Sequence, residues 1–307
     1  MTHKARFLVL RGGAIGDFIV TLPALAALRE RWPGAYIELI GYPHIANLAL
    51  AAGLIDHVDS LDRAEMARFF SVCAAFTETQ AAHIASFDLI LSYLHDPQGV
   101  VKDNLLLAGA RQVLYGSPIV QAGPASRHLL KPLESLAIYP ESDVPHLLLP
   151  ADLKEKGRQW LAERGLSGDV AAIHPGSGSP KKNWPLDRFV DVARQLEAAG
   201  RSILFVAGEA DSALRTALEA MKPAPALLAE ATLLETASVL ANVQGYLGND
   251  SGITHLASAL GLPTVALFGP SNSSIWGPRG DKTVIVAARE GVLQNIMANE
   301  VVNILNC

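Results

Sequence analysis

Two doubly wound α/β domains, each a parallel sheet covered by helices on both faces, are what this sequence predicts, on three observations. Short β-branched and apolar runs alternate with longer Ala- and Leu-rich stretches, the pattern of parallel strands linked by helices. The runs are apolar throughout, as strands buried on both faces must be. The pattern also restarts near residue 170, where "VAAIHPGSGS" and the helical stretch behind it mirror "FLVLRGGAIGD" and its own helix. The chain has 307 residues, 50% of them apolar, enough for two domains of about 150 residues.

The first strand is "RFLVL" (6–10), which ends in a glycine-rich turn and feeds a helix over 18–31. Trp32-Pro33-Gly34 stops that helix. "YIELIG" (36–41) and "FDLILSY" (87–93) are the next strands. The segment "DVPHLLLPADLKEKGRQWLAERGLSGD" (143–169) holds a helix at 151–164, closed by Gly165, and joins the halves. The boundary is therefore placed between an N-terminal domain, 1–150, and a C-terminal domain, 151–307. In the second domain "VAAIH" (170–174), "SILFVAG" (202–208), "GYLG" (245–248) and "TVALFG" (264–269) read as strands. Helices are expected at 187–199, 211–220, 232–242 and 252–260, with Gly200 and Gly261 as stops.

The formal net charge of −5 is spread evenly: residues 1–150 carry 11 basic and 14 acidic side chains, the remainder 14 and 16. No basic domain stands out, so nucleic acid is not an expected partner. Cys73 and Cys307 fit neither a disulfide framework nor a zinc-ligand spacing, and no metal site is expected. The N-terminus enters a strand at once without a signal-peptide pattern, and no apolar run reaches the ~18–20 residues that span a bilayer. A cytoplasmic protein is expected, with contact at a membrane surface left open. One stretch departs from the even charge: Lys102, Arg111, Arg127 and Lys131 face only Asp103 between Pro97 and Lys131. It reads either as a solvated face or as a surface for an anionic partner.

Three stretches could carry chemistry. "RGGAIGD" (11–17) is not a dinucleotide fingerprint: the middle glycine falls at Ala14, and the acidic residue expected at the end of the second strand is Gly41. Its glycines, Gly12, Gly13 and Gly16, let the backbone approach a ligand at the carboxyl edge of the sheet, where open α/β folds bind. Asp17 reads as an N-cap worth about 1 kcal/mol, or as an acid/base group. "HPGSGSPKKNWP" (174–185) offers amides and hydroxyls at Gly176, Ser177, Gly178 and Ser179, followed by Lys181 and Lys182. Such a loop holds phosphate, or is simply polar with solvated lysines; it lacks the Walker A spacing. Trp184-Pro185 would anchor it.

"GYLGNDSGITHLASALGLPTVALFGPSN" (245–272) is the most specific. A short strand ends at Gly248, Asn249-Asp250-Ser251 supply capping side chains, and Gly252 opens a helix. Its first N–H groups, near Gly252, Ile253 and Thr254, are expected to be unpaired at the positive end of the helix dipole, a site for a diphosphate. His255 reads equally as a structural histidine or as part of that site. Glu209, just past a strand, could accept hydrogen bonds from a ribose diol or serve as a helix N-terminal acid.

These segments, in this order, resemble glycosyltransferase family 9, the heptosyltransferases of lipopolysaccharide inner-core assembly. The resemblance rests on "RGGAIGDFIVTLPAL", "IHPGSGSPKKNWP" and the 245–272 segment, and covers nearly the whole chain. It implies a GT-B fold, two Rossmann-like domains with the active site in a central cleft, and a last helix that packs back on the N-terminal domain. It implies an inverting transfer with no cofactor or metal, from a nucleotide-diphospho-sugar such as ADP-heptose to a lipid-linked saccharide. Asp17 would be the catalytic base. Ser177, Ser179, Lys182, Glu209, Asp250, Ser251, Gly252, Thr254 and His255 would bind the donor. Gly13, Lys102, Arg111, Arg127 and Lys131 would meet the anionic acceptor. The cysteine-rich stretch that many members carry before the last helix is missing. A nucleotide-sugar epimerase and a non-catalytic nucleotide-sugar-binding protein are the competing readings; the broken fingerprint disfavours a dehydrogenase.

Overall fold

A computed structural model describes residues 4–208 and 210–306. The chain divides into two compact units, up to Asp143 and from Val144. Residues 144–150 go with the second unit, tied there by the Leu147 N–H, which donates to the Ala259 carbonyl at 2.8 Å.

The N-terminal unit contains β1 (Arg6–Leu10), α1 (Ile15–Ile19), α2 (Leu22–Arg31), β2 (Tyr36–Gly41), α3 (Pro43–Ala51), β3 (His57–Ser60), α4 (Glu78–Ala85), β4 (Leu89–Ser92), α5 (Val100–Leu107), β5 (Val113–Tyr115) and α6 (Ala125–Leu130), with 3-10 helices at Ala64–Phe70 and Lys131–Leu136. Its sheet has the order β3-β2-β1-β4-β5, all parallel, with Phe7 in register with Ile37 and Leu89. One face, with Leu8, Leu10, Ile40 and Ile90, packs on Ile84, Val101, Leu105 and Phe69. On the other, Phe7 meets Trp32 edge-on at 4.9 Å. The helix expected over 18–31 is two helices. Pro23 sits at the start of α2 and has no N–H for the preceding turn, so the ladder breaks at Val20–Thr21.

The C-terminal unit contains α7 (Ala151–Glu163), β6 (Val170–His174), α8 (Leu186–Ala198), β7 (Ser202–Val206), α9 (Ser212–Glu219), β8 (Ala226–Leu228), α10 (Leu233–Leu240), β9 (Gly245–Asn249), α11 (Gly252–Ala259), β10 (Thr264–Phe268), α12 (Ser273–Trp276), β11 (Thr283–Ala287) and α13 (Ala298–Leu305). The sheet order is β11-β10-β9-β6-β7-β8, again parallel. Ile173, Phe205, Leu247 and Leu267 pack on Phe189, Val192 and Leu196 of α8, and the terminal segment buries Val301 and Val302 in the same core. The apolar face of α13, expected to return to the N-terminal domain, is thus used within this unit. On the opposite face α7 crosses α10 at Gly157, where a Cβ would lie 1.9 Å from the Ser238 carbonyl oxygen. Both units present glycine-rich turns at the carboxyl edge of their central strands. No helix among the described residues is long and apolar enough to cross a membrane.

Candidate functional site

In the N-terminal unit β1 delivers the chain into the turn 11–14. Gly13 has φ of 98°, and a Cβ there would stand 2.9 Å from Asp17 Cβ and Oδ2. Only glycine meets both the left-handed backbone and the lack of space. Ala14 is the N-cap of α1, and Asp17 is three residues further on, at N3. Asp17 Oδ2 accepts the Ala14 N–H at 2.9 Å, so the carboxylate caps the helix from inside its first turn. The cap reading is corrected in position while its chemistry stands. The side chain is 34% exposed, and its Oδ1 lies 3.9 Å from Arg11 Nη2.

Arg11 gave no signal in the sequence, because a residue between strand and glycine turn reads as solvated. Its side chain is 4% exposed. Nη2 donates to the Asp17 carbonyl at 2.6 Å and Nε to Thr21 Oγ1 at 2.9 Å. The Thr21 hydroxyl donates to the same carbonyl at 2.8 Å. Burial pushes the Arg11 pKa down while the charges of Asp17 and Tyr93 oppose it; a guanidinium remains a cation. Arg11 and Thr21 thereby fix α1, and with it the Asp17 carboxylate, at the end of β1. Gly41 also has its reason here. A Cβ on it would come within 2.5 Å of the Arg11 carbonyl oxygen, so a ribose-binding acid has no room.

In the C-terminal unit four loops converge at the carboxyl edge. His174 ends β6, is buried, and uses both ring nitrogens: Nδ1 lies 3.2 Å from Ser251 Oγ and Nε2 3.0 Å from Asp211 Oδ2. Asp211 also accepts the Gly208 N–H at 2.8 Å. Burial pushes the Asp211 carboxyl up, but the His174 hydrogen bond and charge and the Gly208 N–H outweigh it and hold it below the usual carboxylate range. A Cβ on Gly176 would sit 2.1 Å from Asp211 Oδ1, which makes that glycine obligatory. Ser251 is the N-cap of α11, its Oγ accepting the Thr254 N–H at 3.3 Å. The buried Thr254 hydroxyl donates to the Asn249 carbonyl at 2.5 Å. Thr254 therefore has neither a free N–H nor a free hydroxyl hydrogen, contrary to expectation; Gly252 and Ile253 lead the helix. His255 is buried in the same turn.

Lys182 Nζ lies 2.8 Å from Asp250 Oδ2, with Asp250 buried and Lys182 half-exposed. Two residues expected at one ligand are thus already side by side. Ser177 Oγ bridges the Ser179 carbonyl at 2.7 Å and Asn183 Oδ1 at 2.6 Å, and accepts the Ser179 N–H. The hydroxyl shapes the loop. Trp184 anchors it as expected: its N–H donates to Asn249 Oδ1 at 3.0 Å and its Nε1 to the Ile296 carbonyl at 3.2 Å. Glu209 lies outside the described residues.

The basic stretch separates. Lys102 follows β4 in the first turn of α5, its N–H on Asp96 Oδ2 at 3.0 Å. Arg127 on α6 and Lys131 after it follow β5; Arg127 Nε is 3.5 Å from Asp143 Oδ2. These three lie beyond the carboxyl ends of their strands, the edge that carries Gly13 and Asp17. Arg111 does not. It precedes β5 and pairs at 2.7 Å with Asp88, which precedes β4. A strand's length separates it from Asp17, and grouping it with the other three on sequence proximity is corrected.

Among the described residues no group of three or more His, Cys, Asp or Glu side chains is arranged to hold a metal ion. Residues 126–302, more than half of the chain, match the profile of glycosyltransferase family 9 (heptosyltransferase). The lipopolysaccharide heptosyltransferase 1 of Pseudomonas aeruginosa is 26% identical over 310 residues, 91% of this chain and 82% of that one. The lipooligosaccharide heptosyltransferase 2 of Haemophilus influenzae is 26% identical over 159 residues, so the match spans 48% of this chain and 46% of that one. A family 9 glycosyltransferase from Veillonella parvula superimposes with a TM-score of 0.82 at 20% identity, covering 100% of this chain and 98% of that one. A heptosyltransferase of E. coli solved with ADP gives 0.72 at 19% identity, over 98% and 99%. These likenesses show a shared fold.

Proposed function

This chain belongs to glycosyltransferase family 9, and we propose that it transfers a heptose from ADP-heptose to a lipopolysaccharide-core or other lipid-linked, anionic saccharide. The observation that carries the reading is the edge built by β6, β9 and α11. There an N-cap serine, the leading amides of an eight-residue helix and the Lys182–Asp250 pair stand together. The amides and helix dipole favour a diphosphate, and Lys182 adds the charge that a divalent cation would otherwise bring. Asp250 would accept from hydroxyls of the donor sugar.

The N-terminal unit supplies the base. Asp17 accepts the proton of the acceptor hydroxyl, whose oxygen attacks the anomeric carbon from the face opposite the diphosphate. The glycosidic bond forms as the carbon–oxygen bond to the diphosphate breaks, its electron pair leaving on the phosphate oxygen, and the configuration inverts. Lys102, Arg127 and Lys131 are assigned to the acceptor's phosphate or carboxylate groups. The test is a thermal-shift and transfer assay with ADP-heptose, with and without EDTA. A true donor raises stability by RT ln(1 + [L]/Kd), and turnover should survive the chelator. Absence of stabilisation, or loss of transfer on chelation, would refute the donor or the metal-free mechanism respectively.

A further inference from the structure

The mechanism above leaves the buried His174 without a task. His174 ends a central strand, beneath the turn that would receive the donor, and both of its nitrogens are engaged. Its neighbours restrict where hydrogens can go. Asp211 offers a carboxylate to Nε2, so that nitrogen carries a proton. On the other side Ser251 Oγ accepts the Thr254 N–H and lies 3.0 Å from Thr254 Oγ1. The Thr254 hydroxyl has already given its hydrogen to the Asn249 carbonyl. With a neutral ring, Nδ1 has only a lone pair and takes the Ser251 hydroxyl hydrogen, turning it away from any ligand. With an imidazolium, Nδ1–H donates to Ser251 Oγ, and the serine hydrogen leaves Nδ1 and turns to Thr254 Oγ1 or, once a ligand is bound, to an incoming acceptor.

We infer that His174 takes up a proton when the donor diphosphate binds, and that the resulting imidazolium, paired with Asp211, is the positioning residue that directs the Ser251 hydroxyl onto a phosphate oxygen. This rests on the donor site proposed above. The proton comes from solvent and lands on Nδ1; no covalent bond changes. The charges around the ring favour it. Asp211 faces Nε2 from the loop before α9. The Tyr246 hydroxyl reaches the cluster at 3.2 Å from Thr254 Oγ1, and burial pushes that phenol up, so it stays neutral. Asp250, next to Ser251, is matched by Lys182; His255 lies one turn along α11. A diphosphate therefore arrives at a cluster whose cation is already shared with a carboxylate. In a desolvated site a second negative charge draws in a compensating proton.

The test is calorimetric titration of the full chain with ADP-heptose, without acceptor, in buffers of different ionisation enthalpy between pH 6 and 9. ADP-heptose is a diphosphate diester that does not itself titrate in this range. The binding heat should depend on buffer, corresponding to uptake approaching about one proton per site within the window. His174→Gln and Asp211→Asn should each abolish that dependence and flatten affinity against pH; either variant suffices if the other fails to fold. Binding with heats identical across buffers, or uptake surviving in both variants, overturns the inference while leaving the donor site intact. No binding of ADP-heptose to the wild type would remove the donor site itself and the inference with it.

Discussion

Replacing Asp17 by asparagine separates the capping contact that the carboxylate makes from the base role proposed for it. An asparagine oxygen can still accept the Ala14 N–H at the same place, so the cap of α1 survives. It cannot take a proton from an acceptor hydroxyl. Asp17→Asn should therefore leave stability within about 0.5 kcal/mol of wild type while lowering kcat by about 10²- to 10⁴-fold, the range for a lost general base. Denaturant unfolding and a transfer assay on the same preparation check both halves. A variant that unfolds early yet turns over normally when folded would return Asp17 to a capping role alone. The same residue shows the limit of reading a motif. "RGGAIGD" names the aspartate, whereas the Arg11 and Thr21 contacts that fix its helix needed coordinates, since buried guanidinium and exposed guanidinium look alike in a sequence.

Gly157 makes the equivalent point for an element. A glycine inside an exposed helix normally costs about 1 kcal/mol relative to alanine, so Gly157→Ala on α7 would be expected to stabilise. At this crossing the added Cβ meets the backbone of α10, 1.9 Å from the Ser238 carbonyl oxygen. A backbone oxygen cannot rotate aside as a side chain can, and overpacking costs about 1–3 kcal/mol. The sterics should win, giving net destabilisation and a lower urea midpoint; an alanine variant as stable as wild type would mean that α7 and α10 part without cost. The helix over 18–31 is a second element-scale lesson. Its apolar period ran unbroken, but the missing N–H of Pro23 divided it, and Thr21 at the break supplies the hydroxyl that Arg11 needs.

Acid stability is a property of the whole molecule to which each unit contributes a buried carboxylate. Burial pushes Glu38 up, but the His83 Nε2 hydrogen bond at 3.0 Å, the charges of His83 and His57 and the Tyr36 hydroxyl hold it below its usual value. Asp211 is held down in the same sense in the C-terminal unit. A carboxylate whose folded pKa lies below the unfolded value contributes stability above the unfolded pKa, about 4, and loses it as pH falls through the folded one. Stability should fall below about pH 4–5, and Glu38→Gln should flatten that fall; an unchanged profile in the variant would show that Glu38 does not contribute. At this scale the sequence by itself determined the seven strands that lie inside the two sheets, β1, β2, β4, β6, β7, β9 and β10. Each is buried on both faces, so its run is mostly apolar and legible, Glu38 in β2 being the buried acidic exception. The four it did not yield, β3, β5, β8 and β11, are the four sheet edges. They are short or half-exposed, "HVDS", "VLY", "ALL" and "TVIVA", and they become strands because a neighbour offers a ladder. The glycine-rich turns were legible for a related reason, since glycine runs after interior strands mark the carboxyl edge. Only the tertiary structure decided which groups meet there: Arg11 with Asp17, His174 with Asp211 and Ser251, Lys182 with Asp250, and Arg111 with Asp88 at the other end of its sheet. Those pairings join residues up to 77 positions apart, and no local pattern records which distant side chain a folded backbone will bring within hydrogen-bonding reach.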